Sequence, residues 1–327
     1  MNPRPAFRYL VLAAIAAAAC FSPSAGAAER YPTKPIRVLV GFPPGGSTDV
    51  LTRQIGIRLS EALGQQIIVD NRPAASGILA SELAAKGNPD GYTLMMATVA
   101  SHGINPSLYR KIPYNVVKDF APVTLVATYP LVLAVNPSVP VKTVKDLIGA
   151  ASAKPGQFRL ASSGTGSPGH LSGEIFKGLA KIEWIHVPYK GGAPANVAVL
   201  SGEAHLTFAT MPAMIPHVRA GRVLGLAVTT AKRSPAAPDL PAIAESLPGF
   251  DVSSWAGLVA PTGTPRSIVV RLQKETASVI SGPELRKQLA SEGAEPIGNT
   301  PEQFGDFIKA ELEKWAKAVK QSGAQLD

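Results

Sequence analysis

A glycine-rich segment at residues 42–49 (Phe-Pro-Pro-Gly-Gly-Ser-Thr-Asp) has the residue types that bind a small anion. It follows a strand-like run at 36–40 and precedes a predicted helix whose apolar residues Leu51, Ile55 and Leu59 recur every four positions. Adjacent glycines let backbone N–H groups approach a ligand, and a helix N-terminus favours negative charge. The same residues are typical of a tight turn with a serine N-cap, so the segment alone leaves both interpretations open.

A second segment, residues 161–170, carries three glycines in the spacing of dinucleotide-binding loops. Gly164, Gly166 and Gly169 match the pattern G-x-G-x-x-G between a predicted strand and a predicted helix. The acidic residue available to bind a ribose is Glu183, which falls at the start of the next strand instead of its end. This position argues against a dinucleotide and favours a loop that binds an anion through amides and hydroxyl groups.

A third segment, residues 187–194 (Val-Pro-Tyr-Lys-Gly-Gly-Ala-Pro), repeats the order of strand, glycine pair and helix. It places the ring of Tyr189 and the amine of Lys190 at the carboxyl end of a predicted strand. The alternative is a turn in which Lys190 lies in solvent.

Patterns for catalysis and metal binding are weak. Ser163 or Ser167 with His170 offers the nucleophile and base of an exported hydrolase, but residue 165 is threonine, so the G-x-S-x-G motif is missing. The five histidines show no H-x-x-x-H or H-E-x-x-H pairing. We therefore expect no catalytic residue, no metal and no cofactor, and keep the Ser/His hydrolase as an alternative.

The composition is that of a globular chain without a nucleic-acid pattern. Of the 327 residues, 46% are hydrophobic and 17% are charged, and the formal net charge is +9. The basic residues are scattered, and those near the C-terminus alternate with acids as on a solvated helix face. We expect no nucleic-acid partner, and the mild positive charge suits a small anion only as a weak field effect.

Residues 1–28 have the pattern of a cleavable signal peptide. Two arginines precede an apolar run at 9–21, and small residues at 24–28 form a cleavage site. The sole cysteine, Cys20, lies in this segment. Cleavage after Ala27 or Ala28 is favoured over a lipid anchor at Cys20, because residues 17–19 lack the leucine that a lipoprotein signal prefers. We therefore expect an exported, periplasmic protein.

Predicted strands and helices alternate in two series, which indicates an α/β fold. The first series runs from 36 to 97, and the second begins within residues 121–135, where two strand-like runs flank Tyr129-Pro130. Another strand is predicted at 255–261, and helices are predicted at 266–281, 283–292 and 301–321. The expected architecture is two doubly wound sheets joined by crossing strands, with a ligand cleft between two lobes.

Short motifs occur in a fixed order along almost the whole chain beyond the signal. They are YPTKPI at 31–36, PPGGSTD at 43–49, NRP at 71–73, DGYTL at 90–94, SGTGS at 163–167, HVPYKGG at 186–192, WAG at 255–257 and APTGTP at 260–265. In this order they resemble the Bug family of periplasmic solute-binding proteins, the receptors of tripartite tricarboxylate transporters.

The resemblance implies a two-lobe, type II periplasmic-binding-protein (Venus-flytrap) architecture without catalysis. Domain 1 would comprise residues 29–130 and 252–327, and domain 2 residues 131–251. Such a receptor would be a monomer that captures a small carboxylate, such as a dicarboxylate, a tricarboxylate or an aromatic acid. It would deliver this ligand to the membrane subunits of a tripartite tricarboxylate transporter.

The resemblance also implies how the ligand is held. Backbone amides, hydroxyl groups and ordered waters would bind its carboxylate, and no arginine would be required. In the first lobe the ligand-binding residues would be Phe42, Gly45, Gly46, Ser47, Asp49 and Thr98. In the second lobe they would be Ser163, Thr165, Gly166, His170 and Phe208.

The chain departs from the family pattern beside two motifs. Residues 74–79 (Ala-Ala-Ser-Gly-Ile-Leu) stand where relatives carry a glycine-rich run. Many relatives have Phe-Asp-Asn where this chain has Phe208-Ala209-Thr210, and loss of that acid argues against an amino-acid ligand. An orphan receptor that reports its ligand to a signalling partner is an alternative that the sequence does not separate from transport.

Overall fold

Strands occur along the whole described part of the chain. The computed structural model describes residues 31–326, so the predicted signal peptide and Cys20 lie outside the described residues. The strands are β1 (Ile36–Val40), β2 (Ile67–Asn71), β3 (Thr93–Thr98), β4 (Phe120–Val135), β5 (Arg159–Ser162), β6 (Ile185–Pro188), β7 (Leu206–Thr210), β8 (Leu224–Val228), β9 (Ser253–Pro261) and β10 (Glu295–Pro296).

Helices alternate with these strands and then end the chain. They are α1 (Ser47–Leu63), α2 (Ile78–Ala85), α3 (Asn105–Leu108), α4 (Val144–Ala153), α5 (Pro168–Ala180), α6 (Gly192–Ser201), α7 (Met211–Arg219), α8 (Arg266–Ser281), α9 (Pro283–Ser291) and α10 (Pro301–Ser322). A π-helical turn (Ala100–Ile104) precedes α3. Short 3-10 turns span Ala75–Gly77 and Ile243–Glu245.

The long strand β4 joins two groups of strands. The strand order is β2-β1-β3-β9-β4-β7-β5-β6, and β8 and β10 also pair with β4. Residues 120–130 of β4 pair antiparallel with β9, whereas residues 131–135 pair with β7 and β8. Parallel pairs lie on both sides, β1 with β2 and β3, and β5 with β6 and β7. The predicted α/β fold, with two wound sheets and crossing strands, is confirmed.

One local prediction was wrong, and one helix was not predicted. The predicted break at Tyr129-Pro130 does not occur, because Pro130 pairs with Ser253 at the point where β4 passes from one group of strands to the other. Proline is tolerated there because the ladder changes partners. Helix α7 was not predicted, because it contains Pro212 and Pro216 and proline has a low helix propensity. Pro212 lies in the first turn, where the missing N–H of proline costs no intrahelical hydrogen bond.

The large apolar side chains pack against the sheets. Trp255, Trp315, Phe176, Phe250 and Phe304 are fully buried. Helix α10 contacts β4, α5 and the turn before α3, so the C-terminal helix packs on elements from both groups of strands. Within residues 31–326, no helix is long and apolar enough to cross a membrane.

Candidate functional site

A cavity of about 290 Å³ lies where several strands end and helices begin. It is lined by the first turns of α1, α5 and α6, by the segment from β7 into α7, and by the ends of β3 and β5. In α/β sheets ligands bind outside the carboxyl ends of the strands, and this volume lies near the lower limit of small-molecule sites. The cavity therefore suits a small ligand.

The N-terminus of α1 presents backbone donors to this cavity. Gly45, Gly46, Ser47 and Thr48 line it, and Gly45 has a φ of 80°, a conformation that favours glycine. Gly46 is the N-cap of α1, and no side chain caps the helix. The N–H groups of the first helical turn have no intrahelical acceptor, so they are available to a bound oxygen.

Helices α6 and α7 begin at the same cavity in the same way. Their N-caps are Gly191 and Thr210, and no side chain caps either helix. Gly192 and Ala193 of α6 line the cavity, as does Thr210. The hydroxyl of Thr210 donates to the hydroxyl of Ser47 at 3.0 Å, which brings the start of α7 against the start of α1. Three uncapped helix N-termini thus converge on one space.

The electrostatics of the cavity favour an anion. Among the described residues that line it there is no Asp, Glu, Lys or Arg. The wall therefore holds no carboxylate to oppose the partial positive charge of the helix N-termini. The one carboxylate in the first turn of α1, that of Asp49, lies behind the wall and is paired with Arg53. Burial raises the pKa of Tyr129, so this lining phenol is neutral at neutral pH. The cavity can hold negative charge with backbone and hydroxyl donors.

Seven of the eleven predicted site residues line the cavity. Besides Gly45, Gly46 and Ser47, these are Phe42, Thr98, Ser163 and Phe208. The other four lie outside its lining: Asp49, Thr165, Gly166 and His170.

Asp49 lies behind the loop, where it holds the loop in place. Its side chain is 4% exposed, and its Oδ2 accepts a hydrogen bond from the N–H of Gly45 at 2.9 Å. Oδ1 accepts from Asn71 at 2.9 Å and from Arg53 at 3.0 Å. Asn71 in turn donates to the carbonyl of Phe42. The conformation of residues 42–46 is therefore fixed by one buried carboxylate and the amide of Asn71.

Thr165 and Gly166 lie at a contact with the first group of elements. The carbonyl of Thr165 accepts from the hydroxyl of Ser76 at 3.1 Å. A Cβ added to Gly166 would lie 1.9 Å from Cδ2 of Leu108, so the glycine permits this close approach. These two residues fix the position of their loop.

His170 does not form the predicted base of a hydrolase. Its Nδ1 accepts from the N–H of Gly166 at 3.1 Å, and its ring stacks on His186 at 3.9 Å. Ser167 instead caps α5 by accepting from the N–H of His170. Burial lowers the pKa of His170 to about 4. No hydrogen bond among the described residues joins a ring nitrogen of His170 to the hydroxyl of Ser163 or Ser167.

The sequence did not indicate a contact between Ser162 and His186. The hydroxyl of Ser162 lies 2.6 Å from Nε2 of His186 and also donates to the carbonyl of Gly164. Ser162 is buried beneath the loop, and it does not line the cavity. The hydrogen bonds of this pair therefore stabilise the loop at 162–166.

Several lining residues were missed from the sequence. Tyr129, Asn196, Leu200 and His217 all line the cavity. The spacing of Asn196 and Leu200, four residues apart on a predicted helix, was the available signal for a wall of the site. His217 gave no signal, because the helix that carries it was not predicted.

The fold and the cavity together define a periplasmic-binding-protein architecture with an anion site. The profile of the tripartite tricarboxylate transporter family receptors matches residues 51–324. The chain belongs to this family.

Individual relatives agree with that assignment. The chain is 36% identical to the protein BugT of Bordetella pertussis over 301 residues, which cover 91% of this chain and 92% of BugT. A structure of an R. palustris protein with adipate is 41% identical, with a TM-score of 0.88, and covers 90% of this chain and 100% of that one. MatC of Rhodopseudomonas palustris with bound malate is 30% identical, with a TM-score of 0.84 and coverages of 88% and 100%.

Proposed function

We propose that this protein captures a small carboxylate in the described cavity and delivers it to the membrane subunits of a tripartite tricarboxylate transporter. In this proposal residues 1–28 direct export to the periplasm and are removed. Residues 29–130 with 252–327 form one lobe, and residues 131–251 form the other. The protein binds its ligand and leaves it chemically unchanged.

One observation carries the proposal: three helix N-termini without side-chain caps line a cavity whose described wall residues include no carboxylate. Orphan N–H groups at a helix N-terminus bind an anion well, because they donate hydrogen bonds and carry partial positive charge. Ordered waters between such donors and a carboxylate cost little relative to direct hydrogen bonds. Adipate and malate, which accompany two similar structures, are both carboxylates.

Binding is tested by thermal melting of the exported protein with mono-, di- and tricarboxylates, aromatic acids and matched neutral amides. A saturating acid of micromolar affinity should raise stability by roughly 2–4 kcal/mol, which shifts the melting temperature by several degrees. A panel in which amides shift the melt as much as acids would contradict anion binding.

The contribution of the α1 amides is tested at Ser47. Ser47→Pro removes the N–H and the hydroxyl, yet proline is favoured at the first helical position, and Gly46 already has the extended conformation required before it (φ −75°, ψ 161°). Ser47→Ala is the matched control, because it removes only the hydroxyl. We expect acid binding to be lost in Ser47→Pro and weakened less in Ser47→Ala. Equal affinities in the two variants would contradict a role for this N–H.

Delivery to a transporter is distinguished from signalling by genetics. Deletion of the membrane subunits should abolish uptake of the bound acid if the protein serves transport. The signalling alternative would be favoured if uptake continues in that strain and an acid-dependent transcriptional response is lost when the receptor itself is deleted.

A further inference from the structure

His217 is an ionisable side chain in the cavity that the proposed function leaves unused. It lies on α7 four residues after Ala213, and both residues line the cavity, so one face of α7 forms part of the wall. Thr210 at the start of this helix contacts Ser47, which marks the anion-binding end. His217 comes seven residues later, about 10 Å along the helix axis. It therefore lies about two helical turns beyond the N-terminus of α7 and its contact with α1.

The ring of His217 has an unused polar atom. Its Nδ1 is buried and has no hydrogen-bond partner among the described residues. A buried polar atom without a partner costs free energy, and native proteins pair nearly all of them. This nitrogen is closed to solvent, so a half-turn of the ring about Cβ–Cγ is needed to bring it to the cavity that His217 lines, where a ligand group can supply the missing partner.

The chemistry of His217 is unlike that of the other wall residues. Among the described lining residues it alone has a side chain that can carry positive charge. Burial, and then the nearby charge of Arg222, lower its pKa, so the free protein holds a neutral imidazole at neutral pH. A neutral imidazole donates from one ring nitrogen, and with the proton on Nδ1 it donates to a carboxylate oxygen.

The wall near this residue is largely apolar. Helix α6 packs against α7 and contributes Val197 and Leu200 to the cavity together with the polar Asn196, while α7 contributes Ala213. Methylene groups can lie against such side chains without loss of hydrogen bonds. The site thus has donors at one end, a largely apolar wall that includes the amide of Asn196, and a single imidazole farther along α7.

We propose that His217 binds the second carboxylate of a linear dicarboxylate whose first carboxylate is held at the N-termini of α1, α6 and α7. The inference rests on the proposed function for the first carboxylate. His217 is then the residue by which this receptor prefers a diacid to a monoacid of equal length.

The test compares each diacid with its own monomethyl ester, because the two differ mainly in the second negative charge. Affinities for pentanedioate, hexanedioate and heptanedioate and for their half-esters are measured by calorimetry on the exported protein. In the wild-type protein we expect one diacid to bind roughly 10- to 100-fold more tightly than its half-ester, as a hydrogen bond to a charged group implies. In His217→Leu this ratio should fall to about one while half-ester affinity is kept, and His217→Gln should restore part of it.

A control variant separates this role from a structural one. Arg219→Ala changes an exposed side chain on the same helix outside the cavity and should leave the ratio unchanged. Equal loss of diacid and half-ester affinity in His217→Leu would indicate a structural role and overturn the inference. A wild-type protein that binds diacid and half-ester equally would overturn it even if His217→Leu fails to fold. Binding of neither compound, nor of any other acid, would overturn the proposed function itself.

Discussion

The carboxylate of Asp49 accepts hydrogen bonds from Gly45, Arg53 and Asn71 while remaining outside the cavity. Both oxygens of Asp49 accept hydrogen bonds, so the NH2 group that Asp49→Asn introduces would lie against another donor and could not accept its hydrogen bond. We expect the loop at 42–46 to shift, ligand affinity to fall roughly tenfold and unfolding free energy to fall by about 1–3 kcal/mol. Calorimetry and urea unfolding measure the two effects.

Asp146→Asn is the matched control for this residue. Asp146 also lies in the third position of its helix and accepts from the backbone N–H groups of Lys142 and Thr143, but it does not line the cavity. Its replacement should leave ligand affinity unchanged. An equal loss of affinity in both variants would show that Asp49 does not act through the loop.

The charge of Asp49 makes the stability effect dependent on pH. Burial opposes ionisation, but the hydrogen bonds from Arg53, Gly45 and Asn71 outweigh it and hold the pKa below the ordinary 3.8. A lowered folded-state pKa adds stability that is complete above the unfolded pKa and is lost as the pH falls through the folded pKa. The difference in unfolding free energy between the wild-type protein and Asp49→Asn should therefore be constant near neutral pH and decrease below pH 3.8.

Among the elements, β9 and α10 are joined by a buried carboxylate. Oε2 of Glu311 accepts from the indole N–H of Trp255 at 2.9 Å and from that of Trp315 at 2.8 Å, and both indoles are fully buried. Glu311→Leu would leave two buried donors unpaired. We expect a loss of about 2–5 kcal/mol in unfolding free energy, and a smaller loss for Glu311→Gln, which keeps an acceptor oxygen.

The exposed Glu313 on the same helix provides the control for Glu311. Glu313→Leu should change stability by less than about 0.5 kcal/mol, as is usual for surface positions. If Glu311→Leu is no more destabilising than Glu313→Leu in urea unfolding, the two indole hydrogen bonds do not stabilise the junction of β9 and α10.

The elements also show what the sequence could and could not predict. Strand β1, the PPGGSTD loop and α1 were predictable because a period-4 apolar pattern follows a glycine pair and ends at Gly64. Helix α7 was not, since its two prolines oppose helix propensity and its packing against β4, β7, β8 and α6 stabilises it. The cavity residue His217 lies on this helix and was therefore not predicted either. The resemblance implied a ligand contact for Asp49, because a sequence motif does not show which way a side chain points.

For the whole molecule, the cavity is bounded by contacts between early and later parts of the chain. Ser47 contacts Thr210, and Ser76 donates to the carbonyl of Thr165. A Cβ added to Gly191 would lie 3.8 Å from Cβ of Pro43. These contacts join the two proposed lobes around the cavity. If the proposed lobes move apart to admit ligand, the contacts must break and re-form in each binding cycle.

A disulfide between positions 43 and 191 tests this requirement. The separation of 3.8 Å between Cβ positions matches that of a disulfide, and Cys20, the chain's one cysteine, lies in the predicted signal peptide. We expect the oxidised Pro43→Cys/Gly191→Cys protein to exclude acid added afterwards and to retain acid bound before oxidation. The reduced form of the same protein is the matched control, because it carries the same substitutions, including the backbone strain of cysteine at a φ of 118°. Ligand exchange that is equally fast in both forms would show that the cavity fills without separation of the lobes.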